Sequence, residues 1–209
     1  MTTEKRLSRP SVMRLESYLE TLEQFEREQR QFATSSDLGV ASGITPEKVR
    51  QDLFGLGSAG RPRVGYEITH LIKLLREVFD LNREKSACIV GCGNLGRALA
   101  HSSIWSRSGY KLVAIFDNNP AVVGEEHGGL RIRNITELFG VVRNEDIEMA
   151  VLTVPAAAAQ DTADLLVAAG IRAIWNFAQS KLQTREGIVV ENQSLALGLI
   201  TLSQRTKQA

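Results

Sequence analysis

The stretch Ala87-Cys88-Ile89-Val90-Gly91-Cys92-Gly93-Asn94-Leu95-Gly96-Arg97-Ala98-Leu99-Ala100 joins a short apolar β run, a G-x-G-x-x-G loop and helix-forming residues without interruption. Few folds accept that order. Gly91 allows the tight turn, Gly93 lets backbone approach a pyrophosphate, and Gly96 lets the helix pack close to the strand, while the helix start offers free N–H groups to phosphate. A second β run, residues 110–117, ends in Asp117, whose carboxylate can bind a ribose 2′-hydroxyl and would repel a 2′-phosphate. NAD(H) is therefore favoured over NADP(H). Gly91 and Asp117 are 26 residues apart, against about 20 in the usual pattern, and a longer helix-to-strand connection absorbs the difference. Gly91, Cys92, Gly93, Asn94, Leu95, Gly96 and Asp117 are the first cofactor-binding candidates.

Further strand and helix runs fit a parallel sheet: residues 147–154, a helical 156–169 closed by Gly170, then 171–177 and 187–190. Thr153, Val154 and Pro155 follow one strand; Asn176, Phe177 and Ala178 follow another. Ligands of α/β sheets sit at that carboxyl edge, so these turns are candidates for the nicotinamide ribose and ring. Ordinary strand-to-helix turn chemistry, or a glycine loop serving another phosphate ligand such as coenzyme A, would leave the same pattern. Cys88 and Cys92 are too few for a disulfide framework or a cysteine-rich zinc site, and His70, His101 and His127 lack metal-ligand spacing. A small side chain, not redox chemistry, explains Cys92. No Tyr-x-x-x-Lys is present, since Tyr18, Tyr66 and Tyr110 are followed four residues later by Leu22, His70 and Ala114. With the sheet and its helices using residues 86–204, no separate substrate domain remains, and the chain reads as a sensor, not an enzyme.

Before that domain the pattern is helical. Residues 1–84 form one expected domain and 85–209 the second, with a linker at 82–85. The first helix starts near Pro10-Ser11 and carries Leu15, Tyr18, Leu19, Leu22 and Phe25 on one face. A short apolar segment, 38–41, ends at Ser42-Gly43. Thr45 then caps a helix with Pro46 at its first position and Val49 and Leu53 inward. Helix, turn and helix is the DNA-binding pattern whose last helix enters the major groove, leaving Lys48, Arg50 and Gln51 outward. Residues 57–66, with Arg61 and Arg63 between short extended pieces, read as a wing. Helical periodicity resumes through Leu71, Leu74, Leu75 and Val78. Net charge is only +1, from 25 Lys+Arg against 24 Asp+Glu, which excludes a globally basic coat protein. Local clusters matter more for phosphate: Lys5, Arg6, Arg9 and Arg14 oppose Glu4, and Lys48, Arg50, Arg61 and Arg63 oppose Glu47 and Asp52. Arg14, Thr45, Lys48, Arg50, Gln51, Arg61 and Arg63 are the DNA-binding candidates. No apolar run nears the roughly 20 residues that span a bilayer, and residues 1–10 lack the apolar core of a signal peptide; a soluble cytoplasmic protein is expected.

These residues together resemble the Rex family of redox-sensing transcriptional repressors over nearly the whole chain. The resemblance is carried by Val49-Arg50-Gln51-Asp52-Leu53, Val64-Gly65-Tyr66, the glycine loop through Leu99, Phe116-Asp117 with Pro120 and Val123-Gly124, Val151 to Pro155, Asn176-Phe177-Ala178 and Val190-Glu191-Asn192. It implies an α/β fold: an amino-terminal winged helix-turn-helix domain, a Rossmann-like parallel domain binding NAD(H), and a terminal helix, 195–202, swapped between the partners of a homodimer. It also implies operator DNA as partner, released when NADH replaces NAD⁺. The stretch after the recognition helix departs from the family's usual sequence, reading Phe54-Gly55-Leu56-Gly57-Ser58-Ala59-Gly60-Arg61-Pro62-Arg63. So does the family's switch, an Arg, a Tyr and an Asp, replaced here by Glu20, Ser102 and Ser194. Two alternatives remain: a Rex-like DNA-binding paralogue with lost or altered redox sensing, and a small NAD-dependent oxidoreductase whose amino-terminal helices serve dimerisation.

Overall fold

The computed structural model describes residues 7–207; Lys5 and Arg6 of the amino-terminal basic cluster lie outside them, as does Glu4. The chain divides into two compact units, Met1–Asn82 and Arg83–Ala209. In the first, α1 (Arg9–Arg27) is followed by β1 (Phe32–Ala33), α2 (Ser35–Ser42), α3 (Pro46–Gly55), β2 (Tyr66–Glu67) and α4 (Ile68–Val78). Side-chain caps set the helix starts. Ser8 accepts from the Ser11 N–H, Thr34 and Asp37 satisfy each other's backbone in a capping box, and Thr45 accepts from the Lys48 N–H. Leu15, Tyr18, Leu22, Val49, Leu53 and Leu75 form the buried centre.

The wing is smaller than its sequence suggests. Within it only Arg61 and Gly65 pair, as an isolated bridge, while β2 pairs antiparallel with β1. Pro62 withholds a backbone donor, and Arg63 takes a left-handed φ of 65°, so the segment turns instead of extending.

The second unit holds β3 (Lys85–Val90), α5 (Asn94–Ala100), α6 (Ile104–Arg107), β4 (Tyr110–Asp117), β5 (Glu126–His127), β6 (Leu130–Asn134), α7 (Leu138–Asn144), β7 (Ile147–Leu152), α8 (Ala159–Ala168), β8 (Ala173–Asn176), β9 (Val189–Asn192) and α9 (Leu195–Thr206). They build a seven-stranded sheet in the order β5-β6-β4-β3-β7-β8-β9, parallel except for β5 against β6. The order reverses between β3 and β7, which opens a crevice at their carboxyl ends. Lys85 belongs to β3, so the linker ends one residue earlier than its sequence implies. β7 ends at Leu152, and Thr153 ties the chain back to β3 and the glycine loop, its N–H donating to the Val90 carbonyl at 2.9 Å and its hydroxyl to the Val90 and Gly91 carbonyls. The 26-residue interval to Asp117 is filled by the extra short helix α6. β5, β6 and α7 had no counterpart in the sequence pattern. On α9, Leu197, Leu199, Ile200 and Leu202 are exposed. Among the described residues no helix is long and apolar enough to cross a membrane.

One polar junction ties the first unit together. Arg14 of α1 forks onto Asp52 of α3, Nε to Oδ2 at 2.6 Å and Nη2 to Oδ1 at 3.0 Å. Tyr18 donates its hydroxyl to the same carboxylate at 3.3 Å, and Lys48 Nζ lies 3.1 Å from it. The Asp52 side chain is only 9% exposed. Burial pushes its pKa up, but the hydrogen bonds and charges of Arg14 and Lys48 outweigh that and hold it below the usual value. Burial and the neighbouring Asp52 carboxylate push Tyr18 up to about 12, so it stays a donor.

A depressed folded-state pKa stabilises above the unfolded value of about 3.9 and is lost as pH falls through the folded one. Asp52→Asn should cost about 2 kcal/mol at neutral pH, because it leaves Arg14 without its charge partner. Urea unfolding followed by far-UV circular dichroism should show the gap between wild type and variant closing as pH drops below about 4; a gap constant from pH 7 to 3 would contradict this.

Candidate nucleotide and DNA sites

At the reversal point the glycine loop is locked to its surroundings. Gly91 has φ +98°, and a Cβ there would lie 2.9 Å from the Thr153 carbonyl carbon and the Val154 nitrogen. A Cβ on Gly96 would sit 2.0 Å from the Gly91 carbonyl oxygen. Neither position admits a side chain. Gly93 is different: a Cβ there would meet nothing within 4 Å, so the loop is open where a pyrophosphate would approach. Asp117 braces the same loop, its Oδ2 accepting from the Cys92 N–H at 2.6 Å and its Oδ1 from the Asn119 N–H at 2.8 Å. A carboxylate has about four lone-pair sites, so both oxygens can still accept from a sugar hydroxyl.

Gly91, Gly93, Asp117, Thr153, Val154 and Pro155 all line one cleft of about 740 Å³. Thr153, Val154 and Pro155 thus share a cleft with Asp117. Sequence reasoning missed Asn118, Ile135, Ala158, Asp161, Thr162 and Leu165, which complete the walls. Ala158, Asp161, Thr162 and Leu165 recur at the i, i+3, i+4, i+7 spacing of one helix face, the signal that could have found them. Asn176 and Phe177 do not line this cleft. The Asn176 side chain is buried and engaged, donating to the Ser180 carbonyl and to Asn192 and accepting from the Ala178 N–H. Phe177 packs edge-on to Trp175, ring centres 4.5 Å apart. Asn94 is exposed and Leu95 half-buried beside the loop.

Burial pushes the Cys92 thiol up, as do Asp117 and Glu125, against a smaller downward pull from Arg97. A protonated, buried thiol is inert. Cys88 is pushed up to about 12 by burial. Arg97 steadies the loop from outside: Nε donates to the Cys92 carbonyl at 3.0 Å, Nη2 to Glu125 at 3.0 Å, and Nη1 lies 2.9 Å from His127 Nε2. Among the described residues no group of three or more His, Cys, Asp or Glu could hold a metal.

On the first unit, Arg50 is exposed on α3 and pre-positioned, donating to Glu47 at 2.7 Å and to Ser35 at 2.9 Å. Gln51, Arg61 and Arg63 are exposed. Lys48 is divided between solvent and Asp52. Arg14, placed among the DNA contacts on its sequence, has its guanidinium turned to Asp52 and joins two helices instead. Glu20 is exposed on α1, Ser102 accepts from the Ile104 N–H, and Ser194 stands before α9 without a capping hydrogen bond.

Two family models match the chain: "CoA binding domain" over residues 82–180 and "Putative DNA-binding protein N-terminus" over residues 6–53. The redox-sensing transcriptional repressor Rex of Caldicellulosiruptor saccharolyticus is 34% identical over 208 residues, covering 100% of this chain and 95% of the relative. The crystal structure of RSP in complex with β-NAD⁺ and operator DNA matches with a TM-score of 0.91 at 31% identity, over 98% of this chain and 94% of that one. RSP in complex with β-NADH matches at 0.86 and 31% identity, over 98% and 96%.

The two glycines separate binding from folding. Gly93→Ala should leave the thermal midpoint within about 2 °C and weaken dinucleotide binding at least about tenfold by occupying the open face. Gly96→Ala should lower both, because its Cβ meets backbone. Calorimetric titration with differential scanning calorimetry checks the pair, and normal binding by Gly93→Ala would contradict the assignment.

Proposed function

The chain belongs to the Rex family of redox-sensing transcriptional repressors, and we propose that it binds operator DNA as a homodimer and reports the NADH/NAD⁺ ratio to transcription. The observation that carries this reading is the conjunction, in one chain matched end to end by Rex, of an open glycine loop at a sheet reversal and a side-chain-capped helix, last of a helix-turn-helix, that exposes Arg50 and Gln51. Neither alone suffices.

In this reading the backbone of Gly91, Cys92, Gly93, Asn94, Leu95 and Gly96 holds the pyrophosphate. Asp117 accepts from the adenosine ribose, and its charge favours NAD(H) over NADP(H). Thr153, Val154 and Pro155 wall the cleft, and Asn176 and Phe177, at the end of the next strand, face the nicotinamide end through backbone. The cofactor supplies a charge difference at its nicotinamide ring between oxidised and reduced forms; the protein's part is to bind the two unequally. Glu20, Ser102 and Ser194 cannot form a cation, phenol and carboxylate network, so discrimination here uses other groups. Thr45, Lys48, Arg50 and Gln51 on the recognition helix, with Arg61 and Arg63 from the turn behind it, contact DNA. The apolar stripe of α9 packs against a second copy. The cytoplasm is the compartment where both ligands meet it.

A dehydrogenase needs a proton donor or acceptor beside the hydride site; the Thr153 and Thr162 hydroxyls of the cleft are tied to backbone carbonyls, and the relatives matched over the full chain are named transcriptional repressors. That favours the sensor over the oxidoreductase.

Arg50→Ala should weaken binding to a palindromic duplex, selected from a random pool, by about tenfold and make it less steep in salt. NADH affinity should not move. Fluorescence anisotropy with parallel calorimetry tests this; equal DNA affinity of variant and wild type would overturn the placement of the recognition helix.

A further inference from the structure

We infer that Asp161 selects adenine in the bound dinucleotide by accepting a hydrogen bond from the exocyclic amine of the base. This rests on the reading above that the cleft takes the adenosine half of NAD(H).

The orientation of α8 carries the argument. Ala158, Asp161, Thr162 and Leu165 line the cleft, and their spacing puts them on one helix face. The alternate face is committed elsewhere: Gln160 donates to Asp164 at 3.0 Å and to the Gln183 carbonyl at 2.9 Å, and accepts from the Gln183 N–H at 2.9 Å. Asp164 is thus turned away from the cleft, while Asp161 is turned towards it.

The polar inventory of the cleft then narrows the ligand. The Thr153 hydroxyl donates to the Val90 and Gly91 carbonyls, and Thr162 donates to the Ala158 carbonyl at 2.8 Å. Both donors are engaged. Asp117 is fixed by the Cys92 and Asn119 N–H groups at the sugar position. Asn118 and Asp161 are the cleft side chains that have no hydrogen bond or ion pair among the described residues. An amide serves donor or acceptor equally, but a carboxylate only accepts.

Between Ile135, Pro155 and the 44%-exposed Leu165 the wall is apolar and suits a flat ring. A purine placed there meets an acceptor at its polar edge. Adenine presents an N–H donor at position 6; hypoxanthine and guanine carry a carbonyl oxygen there, which a carboxylate facing that position repels, and their nearest donor is the N–H of position 1 instead. Selection then comes from the charge-assisted hydrogen bond gained with the amine and the lone-pair repulsion met with the carbonyl.

The test compares NAD⁺ with nicotinamide hypoxanthine dinucleotide by calorimetric titration on wild type, Asp161→Asn and Asp161→Ala. Wild type should prefer NAD⁺ by about tenfold. Asp161→Asn, whose amide can donate to a carbonyl, should cut the preference below about threefold by improving the hypoxanthine form, and Asp161→Ala should cut it by weakening NAD⁺. Asp161 is exposed, so both variants should fold, and circular dichroism verifies it. Normal NAD⁺ binding with the same preference in all three proteins overturns the role of Asp161 and leaves the cleft's assignment standing. Failure of wild type to bind NAD⁺ overturns both.

Discussion

The hydrogen-bonded knot between the ends of β3, β4 and β7 is the constraint on which the nucleotide site depends. The Asp117 carboxylate holds the Cys92 N–H at 2.6 Å, and the Thr153 hydroxyl holds the Gly91 carbonyl at the same distance. Gly91 and Gly96 contribute by lacking a side chain, since either Cβ would collide with backbone. The loop is therefore rigid before any ligand arrives. Pre-organisation of this kind lowers the cost of ordering on binding, and it makes the open face over Gly93 a persistent feature. The groups that shape the cleft are the same ones that join adjacent strands.

The first unit has a comparable knot of opposite character. Arg14, Tyr18, Lys48 and Asp52 converge from two helices, and the resulting ion pair is shielded enough to fix the seating of α3 on α1. Lys48 belongs to this knot and to the exposed helix start at once. Arg50 is instead steered from within its own neighbourhood by Glu47 and Ser35. If the recognition helix contacts DNA as proposed, operator affinity and domain stability are coupled at Lys48 and separable at Arg50.

Much of this was legible in the sequence because its signals are local. The strand before Gly91, the loop and α5 follow from glycine spacing and a run of apolar residues; the start of α3 follows from Thr45 and Pro46. What was not legible depends on residues distant along the chain. Arg14 reads as a phosphate contact until its partner, 38 residues on, is known. The two-residue strand β5 and the short β6 carry too few residues for a periodicity. Asp161 and Leu165 look like an ordinary helix surface and enter the site only because the sheet order brings α8 beside Asp117. Asn176 shows the reverse, an apparent ligand residue whose amide is already used to join β8 to β9.

Near-neutral charge, +1 over 209 residues, suits a regulator that must let go of DNA as well as bind it, since phosphate attraction depends on local basic clusters and not on the sum over the chain. In the function proposed, the dinucleotide's redox state controls that release. Anisotropy titration of one operator duplex, at fixed salt, with saturating NAD⁺ and then with saturating NADH measures it directly. DNA affinity should be at least about tenfold weaker with NADH, a coupling of roughly 1.4 kcal/mol. Identical affinities in the two forms would contradict it.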